Sequence, residues 1–380
     1  MKINHIVRMS VLIPLWLGSA VAQTATSRIV SATNAFLSTL DEKQRQSVLF
    51  SFDDEAQRKR WSNLPTGAVP RAGISLKEMT PAQSSAVMAL LSSALRARGL
   101  EKVQQIMEGD EVNKNSEGNG PPLGRGRGGP PDRGGDGPPD GNFTGRGGNG
   151  PPPFGRGRGG NGQMFGKDLY YISILGTPSQ NKPWMLQFGG HHLALNITID
   201  GDRGILTPTL TGAQPALYTE NGKTIRPLGP ESDKAIALLN TLDENQRKQA
   251  ILSYRVADLV LGPGQDGKTI QPEGLKATNM NEKERAMLLD VISQWAGIIH
   301  ESAAAARMAQ LKADINETWF AWSGPTTVAA GRNITAYYRI QGPHLVIEYA
   351  PQELGGDPSL HVHTMYRDPT NDYGRKSAPK

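Results

Sequence analysis

The sequence predicts an α+β fold, and three observations support it: an internal repeat, helical spacing of apolar residues, and two strand-rich segments. Residues 36–52, FLSTLDEKQRQSVLFSF, match residues 238–254, LLNTLDENQRKQAILSY. The match continues for about forty positions at an offset of about 202 residues. A repeat of this length predicts two similar structural units, each built from helices followed by strands.

Each repeat is predicted to open with a pair of helices. In the first copy a single opening helix is predicted from apolar residues at helical spacing, at Leu37, Leu40, Val48, Leu49 and Phe52. A loop follows, and second helices are predicted over residues 81–95 and 281–299. Pro81 suits the first turn of a helix, and Glu282 and Glu284 favour the positive helix end.

A strand-rich segment follows each helix pair. Residues 187–196, QFGGHHLALN, align with residues 339–348, RIQGPHLVIE. The order helix pair, strands, helix pair, strands predicts an internally duplicated α+β body with pseudo-twofold symmetry. Its antiparallel strands could join across the axis.

These patterns divide the chain into seven segments. They are a signal peptide (1–22), a first helical unit (23–117), a disordered Gly/Pro/Arg-rich insertion (118–164), a first strand-rich segment (165–230), a second helical unit (231–312), a second strand-rich segment (313–374) and a tail (375–380).

The net charge of +5 lies in two of these segments. Residues 1–22 carry +2 and residues 118–164 carry +3, so the remaining body is neutral. The insertion contains Arg-Gly-Gly pieces like those of RNA-binding tails, but a solvated loop insertion is the favoured interpretation. The body therefore gives no reason to expect a nucleic-acid partner. The absence of cysteine excludes disulfides, thiolate metal sites and cysteine nucleophiles.

The N-terminus is typical of a secretory signal. Lys2 and Arg8 precede a mostly apolar run over residues 9–17, and the small residues Ala20 and Ala22 flank Val21. We expect export to the periplasm or the medium with cleavage after Ala22, and no membrane span afterwards. An uncleaved N-terminal anchor is the alternative.

Several sequence motifs are present without the context that they need. Residues 262–269, GPGQDGKT, match a phosphate-binding loop, but Pro272 and Gly274 follow where that loop requires a helix. The Gly-x-Gly-x-x-Gly matches in the insertion follow no strand. His300-Glu301 begins like a zinc-protease helix, but Ala304 stands where the second histidine belongs.

Two histidine pairs carry the strongest functional signal. In a strand, residues two apart share a face, so His361 and His363 are predicted to point the same way, as two ligands of one ion must. By the same alternation His191 should face the core and His192 the polar side. His192, His361 and His363 therefore predict a three-histidine site for zinc, copper or iron. A metal-free active site and hydrogen-bonded structural histidines remain alternatives.

Further residues could complete such a site. His191 becomes a candidate ligand if a bulge at Gly189-Gly190 breaks the alternation. We expect Glu348 or Asp368 to support the chemistry and Arg367 to hold an anionic substrate group. The alternative for Asp368 and its neighbours is a capped turn. Weaker candidates for lining the same cleft lie in the loop after the first helix: Trp61, Pro65 and Arg71.

The residues that carry these predictions resemble a known family. GGHHLALN at 189–196 and HVHTMYRDPTNDYG at 361–374 are similar to segments of the family known as domain of unknown function thirty-five hundred. The resemblance spans Phe36 to Gly374 and implies that His191, His192, His361 and His363 are family features. It implies an exported or cell-surface bacterial protein in many cases, and no established reaction. His344 and the insertion depart from the family pattern.

We therefore expect an exported metalloenzyme that acts hydrolytically or oxidatively on a small molecule. The alternative is a non-catalytic module that binds a metal or a small ligand. An enzyme predicts an open coordination position with a carboxylate or arginine nearby, whereas a binding module predicts a site closed by protein ligands.

Overall fold

The computed structural model describes residues 23–117, 165–353 and 356–377. The predicted signal peptide, residues 1–22, and the predicted insertion, residues 118–164, lie outside the described residues. Among the described helices, none is long and apolar enough to cross a membrane.

The described chain contains helices in two groups separated by strands. The helices are α1 (Ala25–Ser38), α2 (Glu42–Val48), α3 (Glu55–Arg58), α4 (Pro81–Ala94), α5 (Ala97–Glu117), α6 (Gly229–Thr241), α7 (Glu244–Ala250), α8 (Glu282–Ala296) and α9 (Glu301–Ala313). The strands are β1 (Leu49–Phe50), β2 (Ile74–Ser75), β3 (Tyr171–Leu175), β4 (Trp184–Gly189), β5 (Leu193–Asp200), β6 (Arg203–Ile205), β7 (Thr209–Ala213), β8 (Tyr218–Glu220), β9 (Lys223–Ile225), β10 (Leu275–Lys276), β11 (Trp319–Ser323), β12 (Tyr337–Gly342), β13 (Leu345–Pro351) and β14 (Val362–Arg367). The α+β class is confirmed.

Capping residues set where the helices begin. Asp41 caps α2 and Asp243 caps α7, each in a reciprocal capping box with a glutamine three residues later. The single helix predicted across Leu37 to Phe52 is therefore wrong in part. The cap at Asp41 starts a new helix, and Leu49 and Phe50 leave it to pair with β3 in parallel.

One twelve-stranded mixed sheet holds the described body together. Its order is β1-β3-β4-β5-β7-β14-β13-β12-β11-β10, with β2 also paired to β3 and β6 to β5. The antiparallel pair β7 and β14 joins the strands of the first half to those of the second. At this junction the hydroxyls of Thr211 and Thr364 lie 2.6 Å apart, and Trp295 of α8 donates to Thr364.

The two faces of the sheet are covered differently. Strand residues such as Leu186 and Ile347 pack against the helices in two apolar clusters, one in each half. Because side chains alternate along a strand, their neighbours point to the opposite face. There the loops 52–73 and 252–274 cover the sheet, and Trp61 packs with Leu210 and Met365.

The elements follow the same order in both halves. Helices α1, α2, α4 and α5 precede β3, β4 and β5, and helices α6 to α9 precede β11, β12 and β13. This order agrees with an internal duplication, which stays a prediction.

Candidate metal centre

The pair His191-His192 forms the two-residue turn between β4 and β5. Gly190 N donates to Leu193 O at 2.9 Å and closes the turn. A glycine is needed at 190 because the segment before β3 lies close by: a Cβ there would lie 2.9 Å from the Leu169 carbonyl oxygen. The two imidazoles stack with centroids 3.9 Å apart. The predicted divergence of the two side chains is therefore wrong, because strand alternation does not apply inside a turn.

His361 and His363 enter the same region from the start of β14. Their rings lie on the same side of the chain, as the two-residue spacing predicts. The Nε2 atoms are 3.2 Å apart and the rings are perpendicular. In a tetrahedral zinc site the ligand nitrogens lie about 3.4 Å apart, since each Zn–N bond is about 2.0–2.1 Å.

Strand β7 brings the two histidine pairs together. The ring centroid of His192 lies 5.6 Å from those of His361 and His363. The backbone of Gly212 passes between them, and a Cβ there would lie 2.9 Å from His363 Cδ2 and 3.1 Å from His192 Cδ2. Candidate ligand atoms of His191, His192 and His363 all lie within 4.8 Å of one another. These three imidazoles could hold one metal ion, with the His361 ring beside them.

A buried carboxylate from α5 orients His192. Asp110 Oδ1 lies 2.5 Å from His192 Nδ1, and Tyr170 donates its hydroxyl to Asp110 Oδ2 at 2.7 Å. A carboxylate accepts hydrogen bonds, so His192 carries its hydrogen on Nδ1 and the lone pair on Nε2. The Nε2 atom is buried and has no hydrogen-bond partner among the described residues. Metal-bound histidines characteristically have this arrangement, with the second nitrogen donating to a carboxylate.

Sequence reasoning missed Asp110. It continues the buried stripe of α5, which runs through Val103, Ile106 and Met107. The sequence does contain a signal for this residue: a carboxylate stands at the next position of an apolar helical stripe. A carboxylate is rarely buried without a partner, so this position predicts a buried polar contact.

Burial keeps three of the imidazoles neutral. It lowers the pKa of His191 to about 2 and those of His192 and His363 well below the ordinary value. Burial also raises the pKa of Asp110 to about 7, against the opposing effects of His191 and Tyr170. Neutral imidazole is the form that coordinates metal ions.

The loop after α3 lies on the face of the sheet that the helices do not cover, and it contacts the histidine cluster there. Asn63 Nδ2 lies 3.2 Å from His363 Nδ1. If the amide presents its oxygen instead, His363 donates from Nδ1 and Nε2 is available to a metal. Arg71 ties this loop to the histidine turn, since its guanidinium donates to the carbonyls of Ser62, Leu64 and Gly190. Phe165 lies against His191, with ring centroids 4.9 Å apart.

The residues predicted to supply charge to the site are engaged elsewhere. The carboxylate of Glu348 accepts from the backbone N–H groups of Val260 and Leu261 and from the Tyr337 hydroxyl. None of the four histidines is among these donors, and Glu348 anchors the loop 252–274 to the sheet.

Arg367 and Asp368 likewise have structural partners. Arg367 donates to the carbonyls of Leu261 and Gly262 and to the carboxylates of Asp266 and Asp372. It therefore holds the phosphate-loop-like segment, which is irregular and opens no helix. Asp368 accepts from Arg307 and from Thr370, in the capped turn that was the alternative prediction. The acid that orients a cluster histidine is Asp110, not Asp368.

Gly212→Ala tests whether the two histidine pairs must touch. The added methyl group should separate His192 from His363 and weaken zinc binding by at least about tenfold, as for other changes next to a metal site. Gly67→Ala is the control, because a Cβ at Gly67 meets nothing within 4 Å. Competition with a chelating dye measures both affinities, and equal zinc affinity in Gly212→Ala and the native chain would contradict this geometry.

Comparison with known proteins places the chain in a family. The family model described as "Protein of unknown function (DUF3500)" matches residues 22–375. No curated protein matches the chain, and no solved structure matches it. Because the match covers nearly the whole sequence, the chain belongs to the DUF3500 family, as the resemblance of its histidine segments predicts.

Proposed function

We propose that this protein is an exported metalloprotein that holds one transition-metal ion on His191, His192 and His363, with His361 as a fourth ligand. The observation that carries the proposal is the state of His192. Its Nδ1 is bound to Asp110, and its Nε2 is buried beside three other imidazoles with no hydrogen-bond partner in the described part of the chain. Burying an unsatisfied polar atom costs about 1–3 kcal/mol. A metal ion on Nε2 would remove that cost.

The donor set favours zinc, copper or iron. The candidate ligands are imidazole nitrogens, which suit these metals, whereas magnesium and calcium prefer oxygen ligands. The carboxylate of Asp110 contacts His192 at Nδ1, so it orients a ligand and is not itself one.

A binding role fits this geometry better than catalysis. His192 is fully buried, and the other three histidines are at most 7% exposed, so four imidazoles can close the coordination sphere. Glu348, Arg367 and Asp368 were the groups expected to act on a substrate, and all three are hydrogen-bonded elsewhere. The protein would then carry, store or be stabilised by its metal.

Catalysis is the second candidate, and one observation favours it. Only His191, His192 and His363 form a set with candidate ligand atoms within 4.8 Å in the described chain. Three protein ligands leave a fourth position for water or substrate. His361, with Nε2 3.2 Å from His363 Nε2, could then accept the proton of a metal-bound water in hydrolytic or oxidative chemistry.

The cellular setting and the origin of the body are part of the same proposal. The N-terminal segment has the composition of a cleaved signal, which supports export after cleavage at Ala22. Leu95 and Ile299 form an isolated antiparallel bridge, and each lies two residues before the next helix of its half, α5 or α9. Equivalent residues meet at a twofold axis, so this bridge supports a duplicated body.

Metal analysis of matched histidine variants tests the proposal. We expect the mature chain, residues 23–380, to bind about one zinc or copper ion, and His192→Ala to lose it, because one ligand and the Asp110 contact disappear together. His344→Ala is the matched control: His344 lies in the corresponding turn between β12 and β13 but contacts Thr370 instead. Elemental analysis after dialysis measures both, and full metal in His192→Ala would contradict the proposal.

Asp110→Asn tests the orienting carboxylate. The neutral amide cannot stabilise the positive charge that a metal places on the imidazole, so we expect affinity to fall about 10- to 100-fold. Glu101→Gln on the exposed side of α5 is the control and should bind normally. Equilibrium competition gives the two constants, and an unchanged constant in Asp110→Asn would show that the carboxylate only packs against the ring.

Cobalt substitution separates binding from catalysis. If four imidazoles close the site, azide should leave the visible spectrum of the cobalt protein unchanged, and His361→Ala should make that spectrum respond to azide. If the native cobalt protein responds to azide and His361→Ala keeps its metal, the site has an open position and the catalytic candidate replaces the binding one.

A further inference from the structure

A cavity lies on the helix-covered side of the sheet, between α9 and β6. Its volume is about 310 Å³, at the lower end of the range for small-molecule sites. None of the four histidines of the metal centre lines it. It is therefore a separate feature of the described molecule.

The cavity combines an apolar wall with a charged rim. Ile299, Ala303 and Ala306 line the helical side. Cationic side chains outnumber acidic ones, with Arg203, Arg307 and Lys376 against Asp202 and Asp368. Such a lining suits a molecule with an apolar body and a negative group.

Arg307 is a rigid donor in this cavity. Its guanidinium donates to the Tyr366 hydroxyl at 2.9 Å, to Gln310 Oε1 at 2.8 Å, to Asp368 Oδ2 at 2.9 Å and to the His344 carbonyl. A guanidinium has five N–H groups, so these bonds leave one on Nη2 without an acceptor among the described residues. The fixed group can donate to a ligand without losing conformational freedom.

Two further donors in the cavity lack strong partners. The Thr207 hydroxyl belongs to a side chain that is 1% exposed, and it has no hydrogen-bond partner among the described residues. Lys376 Nζ contacts the Thr370 hydroxyl at 3.3 Å and forms no ion pair within the described chain. A buried hydroxyl without a partner is costly, so this atom points to a ligand.

We propose that this cavity binds a small monocarboxylate with an apolar body. The carboxylate accepts from the Thr207 hydroxyl, from Lys376 and from the remaining N–H of Arg307, and the apolar part packs against Ala303 and Ala306. Phosphate is disfavoured, because it offers nothing to the apolar wall and a second negative charge would meet Asp368.

Calorimetric titration of the mature chain with benzoate tests this site, with benzamide and inorganic phosphate as comparison ligands. We expect benzamide to bind at least about tenfold more weakly than benzoate, because it lacks the charge that strengthens each hydrogen bond. Phosphate should show no binding at the same concentrations.

Variants assign the binding to the cavity. Thr207→Val, which keeps the side-chain shape, and Lys376→Ala should each weaken benzoate binding by about tenfold. Ala306→Trp should abolish it by filling the space, and Lys312→Ala on the same helix, which does not line the cavity, should have no effect. The proposal is wrong if benzoate does not bind, if benzamide binds equally well, or if Thr207→Val and Lys376→Ala bind benzoate like the native chain.

Discussion

The antiparallel pairing of β7 with β14 is the constraint on which the rest of the structure depends. It joins the strands of the two halves into one sheet, through the register His363 to Gly212 and Thr364 to Thr211. The same register places His363 beside the turn that carries His191 and His192, since Gly212 N also donates to His192 O. A shift of one residue along β14 would turn His361 and His363 to the other face of the sheet. Fold and candidate site therefore rest on one strand pair.

Burial explains why the cluster favours a metal ion. Four imidazoles share a region from which water is almost excluded, and the described partners include one buried carboxylate, Asp110, at His192. Desolvation lowers the pKa values of His191, His192 and His363 and so keeps these three imidazoles neutral, and neutral imidazoles offer lone pairs to a metal ion. A cation among these lone pairs would satisfy several nitrogens at once and would balance the negative charge of Asp110. In a purely structural cluster, we would instead expect every buried ring nitrogen to have a hydrogen-bond partner.

Local rules predicted much of this molecule, and long-range contacts account for the rest. The α+β class, the helix starting at Pro81 and the shared direction of His361 and His363 follow from periodicity and capping. The turn at His191-His192 was misread because alternation alone cannot distinguish a strand from a two-residue hairpin. Glu348 and Arg367 bind the loop 252–274, which is 88 to 106 residues away in sequence, and Asp368 binds Arg307 of α9, 61 residues away. No local pattern encodes these contacts. Asp110 was missed for the same reason, since its role depends on the packing of α5 against the hairpin.

X-ray absorption spectroscopy of the metal-loaded mature chain tests the central claim most directly. The account predicts about one ion per chain with three or four nitrogen neighbours at about 2.0–2.1 Å and the outer scattering pattern of imidazole rings. Loss of that pattern in His192→Ala, but not in His344→Ala, would assign it to the buried cluster. A shell made of oxygen atoms, or an imidazole signal that survives in His192→Ala, would contradict the account.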